Sequence, residues 1–421
     1  MAVKVDSGAG VLPVLNDFDG EKRIADTPFT AKWLLDILMQ KDDVFVGRSK
    51  GAPVSDVHGK DISGGKGFVS RVYKVTIEFE DKKSPHDVIL KVPGVESFGE
   101  LFDGEENPAK VASVAESHNR EVYFYNNFAP KLDVPFVKVF AAIEWIPGKQ
   151  LGCILMESLL GRSTTQSVHE GLTKKQLQAT ILQLAKLHSS FLLMPEKEWK
   201  GKFANKTFKS ETCIEFLVSF MKKLSACRPD VFKEGIQTLL PYASSSKFNS
   251  YATAEVGVEL GIPPVLIHGD MWTNNLMFHL NADGSVSDEI DAVLDWQIIN
   301  DGCVTFDLAR LLVISLDGDV RRRLEPEILA FYYENLKKLL AEGGKDIDFT
   351  LEQVASAYKI NMANQAFHML ACVLIFGKME GDTAEEKALC VARLEKMILR
   401  GKAAMEDCLE VLKTLSKEKS F

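Results

Sequence analysis

The 421-residue sequence has no C-x-x-C pair, no long basic block, no apolar run of membrane length and no internal repeat. Each absence removes a class of protein. Its seven cysteines (Cys153, Cys213, Cys227, Cys303, Cys372, Cys390 and Cys408) are scattered and odd in number, which argues against a disulfide framework and a structural zinc site. Reduced thiols in the cytoplasm are expected. A formal charge of −9, with a pI near 5.5, lacks the electrostatic footprint of duplex binding, so no nucleic acid partner is expected. The N-terminal stretch MAVKVDSGAGVLPVLNDFDGEKR holds no continuous apolar segment of a secretory leader. The longest apolar run, MLACVLIF from Met369, falls far below the roughly 18 residues of a membrane span. The sequon Asn205-Lys206-Thr207 is then a coincidence. Without repeats or low-complexity tracts, solenoids and propellers drop out. Nothing in the sequence sets an oligomeric state.

What is present is the balance of a soluble globular protein, with 46% hydrophobic and 26% charged residues. At about 100–200 residues per domain, the length suits two or three packed units. In SRVYKVTIEFE (70–80), Tyr73, Val75, Ile77 and Phe79 alternate with Lys74, Thr76 and Glu78, the period of a half-buried strand. VILKVP reads as a second strand, and VPFVKVFAAIEW and GCILMES flank the turn signal Pro147-Gly148 as a hairpin. After about residue 170 the period becomes helical. Thr173 and Gln176 form a capping-box pattern, and Leu177, Ile181, Leu184, His188 and Phe191 make one stripe. Helices are predicted over 211–225, 324–342, 351–377 and 384–416, with VLIHGD, NLMFHL and AVLDWQ as short strands around a small hairpin among them. The fold class expected is α+β: an extension over 1–28, a β-rich lobe over 29–157 and a larger helical lobe over 158–421.

Four features carry candidate chemistry. Gly64, Gly65 and Gly67 in ISGGKGFVS precede a strand, and glycines there let backbone N–H groups point at phosphates; a plain turn is the alternative. Lys91 shares a strand face with Ile89, so its ammonium follows a sheet surface, unless it is a snorkelling edge lysine. Glu121 falls on a helical stripe with Val114, His118, Tyr125 and Phe128, and an inward carboxylate needs a cation, for which Lys91 is the candidate; a solvated Glu at the stripe's edge is the other reading. In VLIHGDMWTNNLMFHL, Asp270 and Asn275 are five residues apart, and Asp295 of AVLDWQ lies on the next strand. One carboxylate and one amide oxygen suit Mg²⁺, and a second carboxylate can orient and deprotonate a hydroxyl. Turn formation by Asp and Asn is the bland alternative, but it does not explain the flanking apolar strands.

Together these residues resemble the protein-kinase-like superfamily, in its branch of aminoglycoside, choline and ecdysteroid kinases. The likeness is nearest to the ecdysteroid-kinase-like, or CHK-kinase-like, group, and it runs in order from Gly64 to Leu312. The resemblance implies a bilobal fold with a small β-rich N-lobe. It implies that SGGKGFVS covers the phosphates of ATP, although Ser70 stands where a protein kinase usually has its third glycine. Lys91 would contact the α and β phosphates and be held by Glu121, and Met156, Glu157 and Ser158 would form the adenine-binding hinge. HGDMWTNN is similar to the H-G-D-x-x-x-x-N catalytic loop, which makes Asp270 the base, Asn275 a Mg²⁺ ligand and Asp295 the main Mg²⁺ ligand. His268 and Asp307, in TFDLARLL, would support that loop.

Asp307 follows Asp295 by twelve residues with no A-P-E between them, which leaves little room for a protein kinase activation segment and favours a small-molecule alcohol as acceptor. The group resembled favours a bulky, largely apolar alcohol. A catalytically silent nucleotide-binding module is the alternative, although Lys91, Glu121, Asp270, Asn275 and Asp295 are all present. A metallohydrolase on His268, Asp270 and Asp295 would lack any H-E-x-x-H helix. His188 reads as a core histidine, and Trp272, Trp296 and Gln297 either line an acceptor pocket or pack.

Overall fold

The alternating stretch from Ser70 becomes the second strand of a five-stranded antiparallel sheet in a computed structural model, which describes residues 19–63, 70–94, 108–203, 211–377, 381–415 and 421. The chain divides into two compact units, Met1–Lys131 with Phe136–Leu160, and Leu132–Pro135 with Gly161–Phe421. The architecture is α+β: a small unit built on an antiparallel sheet and a larger, mainly helical one.

In the first unit, β1 (Val54–Asp61), β2 (Ser70–Phe79), β3 (His86–Pro93), β4 (Val139–Ile143) and β5 (Cys153–Glu157) lie in the order β1-β2-β3-β5-β4. Tyr73, Val75, Ile77 and Phe79 are all buried, as the alternation requires. They share one core with Leu34, Leu35 and Leu38 of α1 (Ala31–Lys41) and Phe45 of α2 (Asp43–Gly51). Burying side chains of this size stabilises by about 1.5–3 kcal/mol each. The sequence reading placed no helix there, because runs of 11 and 9 residues are too short to show a sustained period. Asp42 separates the two. It is extended, its N–H closes α1 on Leu38 O, and its carboxylate accepts from Val44 N and Phe45 N to start α2. Residues 19–28 also pack here: Ile24 is fully buried, and Asp26 accepts a 2.8 Å bond from the Tyr73 hydroxyl. A 20-residue helix, α3 (Pro108–Asn127), completes the unit.

In the second unit, β6 (Ser163–Thr165), β8 (Leu276–Leu280) and β9 (Val286–Val293) form a sheet in the order β6-β8-β9, while β7 (Val265–Ile267) pairs with β10 (Asn300–Gly302). This corrects the expected hairpin. VLI and LMF are strands of two different sheets, because Gly269 at φ +86° and the tight turn Thr273–Asn275 redirect the chain between them. The strand in AVLDWQ ends at Val293, so Asp295 lies beyond it rather than on it.

The longer helices are α4 (Lys174–Leu193), α5 (Glu211–Cys227), α6 (Pro229–Ala243), α7 (Phe306–Ser315), α8 (Gly318–Glu342), α9 (Leu351–Gly377) and α10 (Ala384–Thr414). The capping box at Thr173 and Gln176 is formed, and His188 is buried with Nδ1 2.8 Å from the Tyr332 hydroxyl. The period did not reveal α7, since FDLARLLVIS is buried on nearly every side and shows no polar face. Among the described residues, α9 is the one helix long and apolar enough to cross a membrane, and most of it is buried inside the protein. Its middle carries Asn361, Asn364 and Gln365, all buried.

Candidate functional site

The candidate residues form two constellations, one in each unit. In the first, β3 is hydrogen-bonded on both sides, with Lys91 opposite Val72 of β2 and Ile154 of β5. It is therefore not an edge lysine. Its Nζ lies 2.7 Å from Glu121 Oε2, with the lysine side chain 11% exposed and the glutamate 1%. Separating such a pair costs about 3–5 kcal/mol, because one charge stays behind in the interior.

One turn before Glu121, His118 is buried, its Nε2 donating to Ile143 O at 2.9 Å. Burial, with the Lys91 charge adding to it, lowers its pKa to about 4. A Cβ on Gly152 would lie 2.4 Å from Trp145 Cβ and 2.8 Å from His118 Nε2, so only glycine fits. Asn119 clamps Trp145 by both main-chain groups, at 2.7 and 2.9 Å.

Of the proposed hinge, Met156 pairs with Ile89 and Val139. The Glu157 N–H donates to Lys138 O at 2.9 Å, and its Oε1 accepts from Lys138 N at 2.7 Å. The Ser158 hydroxyl accepts from Leu160 N at 3.3 Å. The Glu157 amide is thus engaged by the sheet. Gly64, Gly65 and Gly67 lie outside the described residues.

The second constellation grows from the loop after β7. Asp307, fully buried in the first turn of α7, accepts the main-chain N–H of His268 at 2.6 Å and of Gly269 at 2.8 Å. Burial pushes the Asp307 carboxyl above its usual range, and the two N–H donors oppose that push. The loop needs glycine at 269: φ is +86°, and a Cβ there would sit 2.7 Å from Ile298 O.

Nδ1 of His268 accepts from Asp270 N at 3.1 Å, so Nε2 carries the proton and donates to Leu294 O at 2.9 Å. The ring packs edge-on to Trp296 at 4.5 Å. Both ring nitrogens are engaged, which leaves none for a metal. Trp296 itself is fully buried and donates to Val293 O, so it packs rather than lining a pocket.

Asp270 is held on both oxygens. Arg310 Nε and Nη2 donate to Oδ1 at 2.8 and 2.5 Å, and Asn275 Nδ2 donates to Oδ2 at 3.2 Å and to the main-chain O at 2.8 Å. Arg310 Nη1 donates to Gln365 Oε1 at 3.0 Å. Burial opposes the Arg310 cation, and the Asp270 carboxylate more than offsets it, so its pKa is raised.

Asn275 O accepts from Leu294 N at 2.8 Å, which ties the catalytic-loop candidate to the segment bearing Asp295. Asp295 has φ +66°, uncommon for a residue other than glycine and of the kind that clusters at functional sites. Its Oδ2 accepts from Gln297 Nε2 at 3.2 Å. Asn274 Oδ1 accepts a local bond from the Thr273 hydroxyl. Among the described residues no group of three His, Cys, Asp or Glu is arranged to hold a metal ion.

Sequence reasoning missed Arg310 and Gln365. The available signal was the charge inside LARLL, three residues after Asp307 and so on the same helical face.

The model of the DUF1679 family, described as "Uncharacterized oxidoreductase dhs-27", matches residues 54–415. The chain is 28% identical over 337 residues to "Uncharacterized oxidoreductase dhs-27" of Caenorhabditis elegans, covering 77% of this chain and 40% of that protein. It is 21% identical over 317 residues to "Uncharacterized kinase-like protein D1044.1" of the same organism, covering 71% and 78%. Among solved structures, a choline kinase from Cryptosporidium parvum superimposes with a TM-score of 0.45 at 11% identity, covering 88% of this chain and 94% of that one.

Proposed function

The chain belongs to the DUF1679 family, and starting there we propose that it is an ATP- and Mg²⁺-dependent phosphotransferase acting on a hydroxyl of a small molecule. The observation that carries this reading is the loop pinned from beneath by Asp307, on which Asp270 and Asn275 are hydrogen-bonded to each other and joined through Leu294 to the segment of Asp295. The kinase-like name of the second relative is in keeping with it. The oxidoreductase in the first relative's name is said of a protein of which this chain spans 40%, and no G-x-G-x-x-G stretch occurs in this sequence.

In this reading Lys91, held by Glu121, meets the α and β phosphates, the glycines at 64, 65 and 67 cover them, and main-chain groups around Met156 to Ser158 hold the base. The donor chemistry at the loop fits Mg²⁺. Asp295 supplies a carboxylate, and Asn275, whose Nδ2 is turned to Asp270, keeps Oδ1 as an oxygen donor. When bound, the ion supplies charge neutralisation to the phosphates. Asp270 orients the acceptor hydroxyl. The acceptor oxygen bonds to the γ-phosphorus, the bond from that phosphorus to the β–γ bridging oxygen breaks, ADP leaves, and the hydroxyl proton passes to Asp270. Such a transfer asks for positioning and charge neutralisation rather than a covalent intermediate.

The acceptor class favoured is a bulky, largely apolar alcohol, as in the ecdysteroid-kinase-like group. Trp272, two residues after Asp270, packs on Phe376 with ring centroids 5.1 Å apart, an aromatic pair beside the loop. A panel of steroid, choline, sugar and xenobiotic alcohols tests the reading through acceptor-stimulated ADP release with Mg²⁺. Asp270→Asn and Asp295→Ala are each expected to lower that release by about 10²-fold or more. Folded variants that match wild type would sink it. Bound ATP with no release by any alcohol is the result that selects a silent nucleotide-binding module.

A further inference from the structure

From the contacts on Asp270 we infer that Arg310 is the positioning residue of the base, that Gln365 holds Arg310 in turn, and that Oδ2 is the oxygen that receives the acceptor hydroxyl. The inference rests on the phosphotransferase reading and deepens it.

A carboxylate oxygen has two in-plane lone-pair sites. Oδ1 is covered by the guanidinium of Arg310, through Nε at 2.8 Å and Nη2 at 2.5 Å, and so carries two charge-assisted bonds. Oδ2 receives one longer bond, 3.2 Å from Asn275, which leaves it a second site. An acceptor O–H can therefore approach Oδ2 without displacing a donor, whereas at Oδ1 it would compete with the guanidinium cation for the same oxygen. As the acceptor oxygen bonds to the γ-phosphorus of ATP and the bridging P–O bond breaks, its proton goes to Oδ2, and later from there to water.

Arg310 on Oδ1 and Asn275 on Oδ2 hold opposite oxygens of the carboxylate and so fix its plane, and the two N–H groups of the planar guanidinium direct Oδ1 as one point-like ammonium does not. Arg310 is itself immobilised. Its side chain is 13% exposed, and its remaining terminal nitrogen donates to Gln365 Oε1 at 3.0 Å. Gln365 Nε2 donates to Asn364 Oδ1 at 3.1 Å, and Asn364 Nδ2 donates to Asn249 Oδ1 at 2.8 Å. Asn364 and Gln365 in the middle of α9 thus belong to a chain of hydrogen bonds ending on the base. This gives a physical reason for those two amides in the buried middle of the helix.

The test uses the full chain with Mg–ATP, first with water as acceptor and then with a sterol, a terpenoid alcohol, an alkyl glucoside and choline. Arg310→Met is expected to lower kcat about 100-fold, the order of loss from misplacing a reacting group by 1 Å. KM for ATP should stay within about twofold, because the hydrogen bonds of Arg310 go to Asp270 and Gln365, neither of which is proposed to hold the nucleotide. Arg310→Lys should recover part of the loss, guanidinium ion should rescue Arg310→Ala in solution, and Gln365→Leu should lower kcat about tenfold. A folded Arg310→Met with wild-type kcat, or one changed in KM alone, overturns the inference and leaves the phosphotransferase reading standing. Should Arg310→Met fail to fold, a wild-type rate in Gln365→Leu overturns it instead. A wild-type chain that forms no ADP with any acceptor overturns the phosphotransferase reading and this inference with it.

Discussion

Gly269 and Gly284 give a controlled comparison, because they share a backbone conformation and differ in what surrounds them. Their φ angles are +86° and +83°, and both lie in the second unit. At Gly284, in the turn between β8 and β9, an added Cβ meets nothing within 4 Å; at Gly269 it would sit 2.7 Å from the main-chain oxygen of Ile298. Alanine at Gly284 bears only the left-handed penalty, about 1–2 kcal/mol. That penalty is reduced by about 0.4–1 kcal/mol because alanine has less freedom to lose on folding. Its net cost is expected near 1 kcal/mol. Alanine at Gly269 adds overpacking against backbone, about 1–3 kcal/mol, for a total of about 2–4 kcal/mol. Urea unfolding followed by tryptophan fluorescence measures both, with the transition of the second unit fitted separately, since a chain of two units need not unfold in one step. Costs equal within about 0.5 kcal/mol would refute the claim that close approach, and not φ alone, demands glycine before Asp270. Gly269→Ala should also lower turnover, because relief of the clash moves the N–H that Asp307 holds; Gly284→Ala should not.

Further expectations concern both units. Gly152→Ala should destabilise the first unit by about 2–3 kcal/mol by pressing on Trp145 and His118, measured by the same unfolding assay. His118, with a pKa lowered to about 4, is neutral when folded and takes up a proton on unfolding below about 6.5. Its contribution is therefore present above pH 6.5 and is lost as pH falls toward 4, and its ring resonances in NMR should not titrate between pH 8 and 5.5; a midpoint near 6.5 would contradict the burial argument. Arg400 is buried and donates to Val168 O, Ile314 O and Asp317 Oδ1 at 2.7–2.8 Å, so Arg400→Met should cost about 3 kcal/mol through the carbonyls and carboxylate it abandons. A change in unfolding midpoint too small to resolve would show those contacts to be incidental.

The two-residue alternation from Ser70 and the helical stripe from Leu177 could be read without coordinates, because each states which side of one element avoids water. The helices α1, α2 and α7 could not, the first two for shortness and the third because a helix buried all round has no polar face to betray its period. The hairpin drawn through VLIHGDMWTNNLMFHL failed for a related reason. Apolar runs mark strands but not their partners, and β7 pairs with a strand some thirty residues onward while β8 pairs with β6 and β9.

The same division runs through the candidate site. Spacing within short segments singles out Asp270, Asn275, His268 and, nearby, Asp295, since the chemistry of a loop is written in consecutive residues. That Asp307 holds two amides of that loop, that Arg310 holds Oδ1 of Asp270, and that Gln365 stands behind Arg310 are facts of separations of 38, 39, 40 and 55 residues. By itself the sequence determined the period of the long elements, the polar residues placed among apolar ones and the two-part layout, because local sterics and water avoidance act within a few residues. Only the tertiary structure decided which helix face meets which, and hence which oxygen of Asp270 is left open, because side-chain pairing across such distances depends on how whole elements pack.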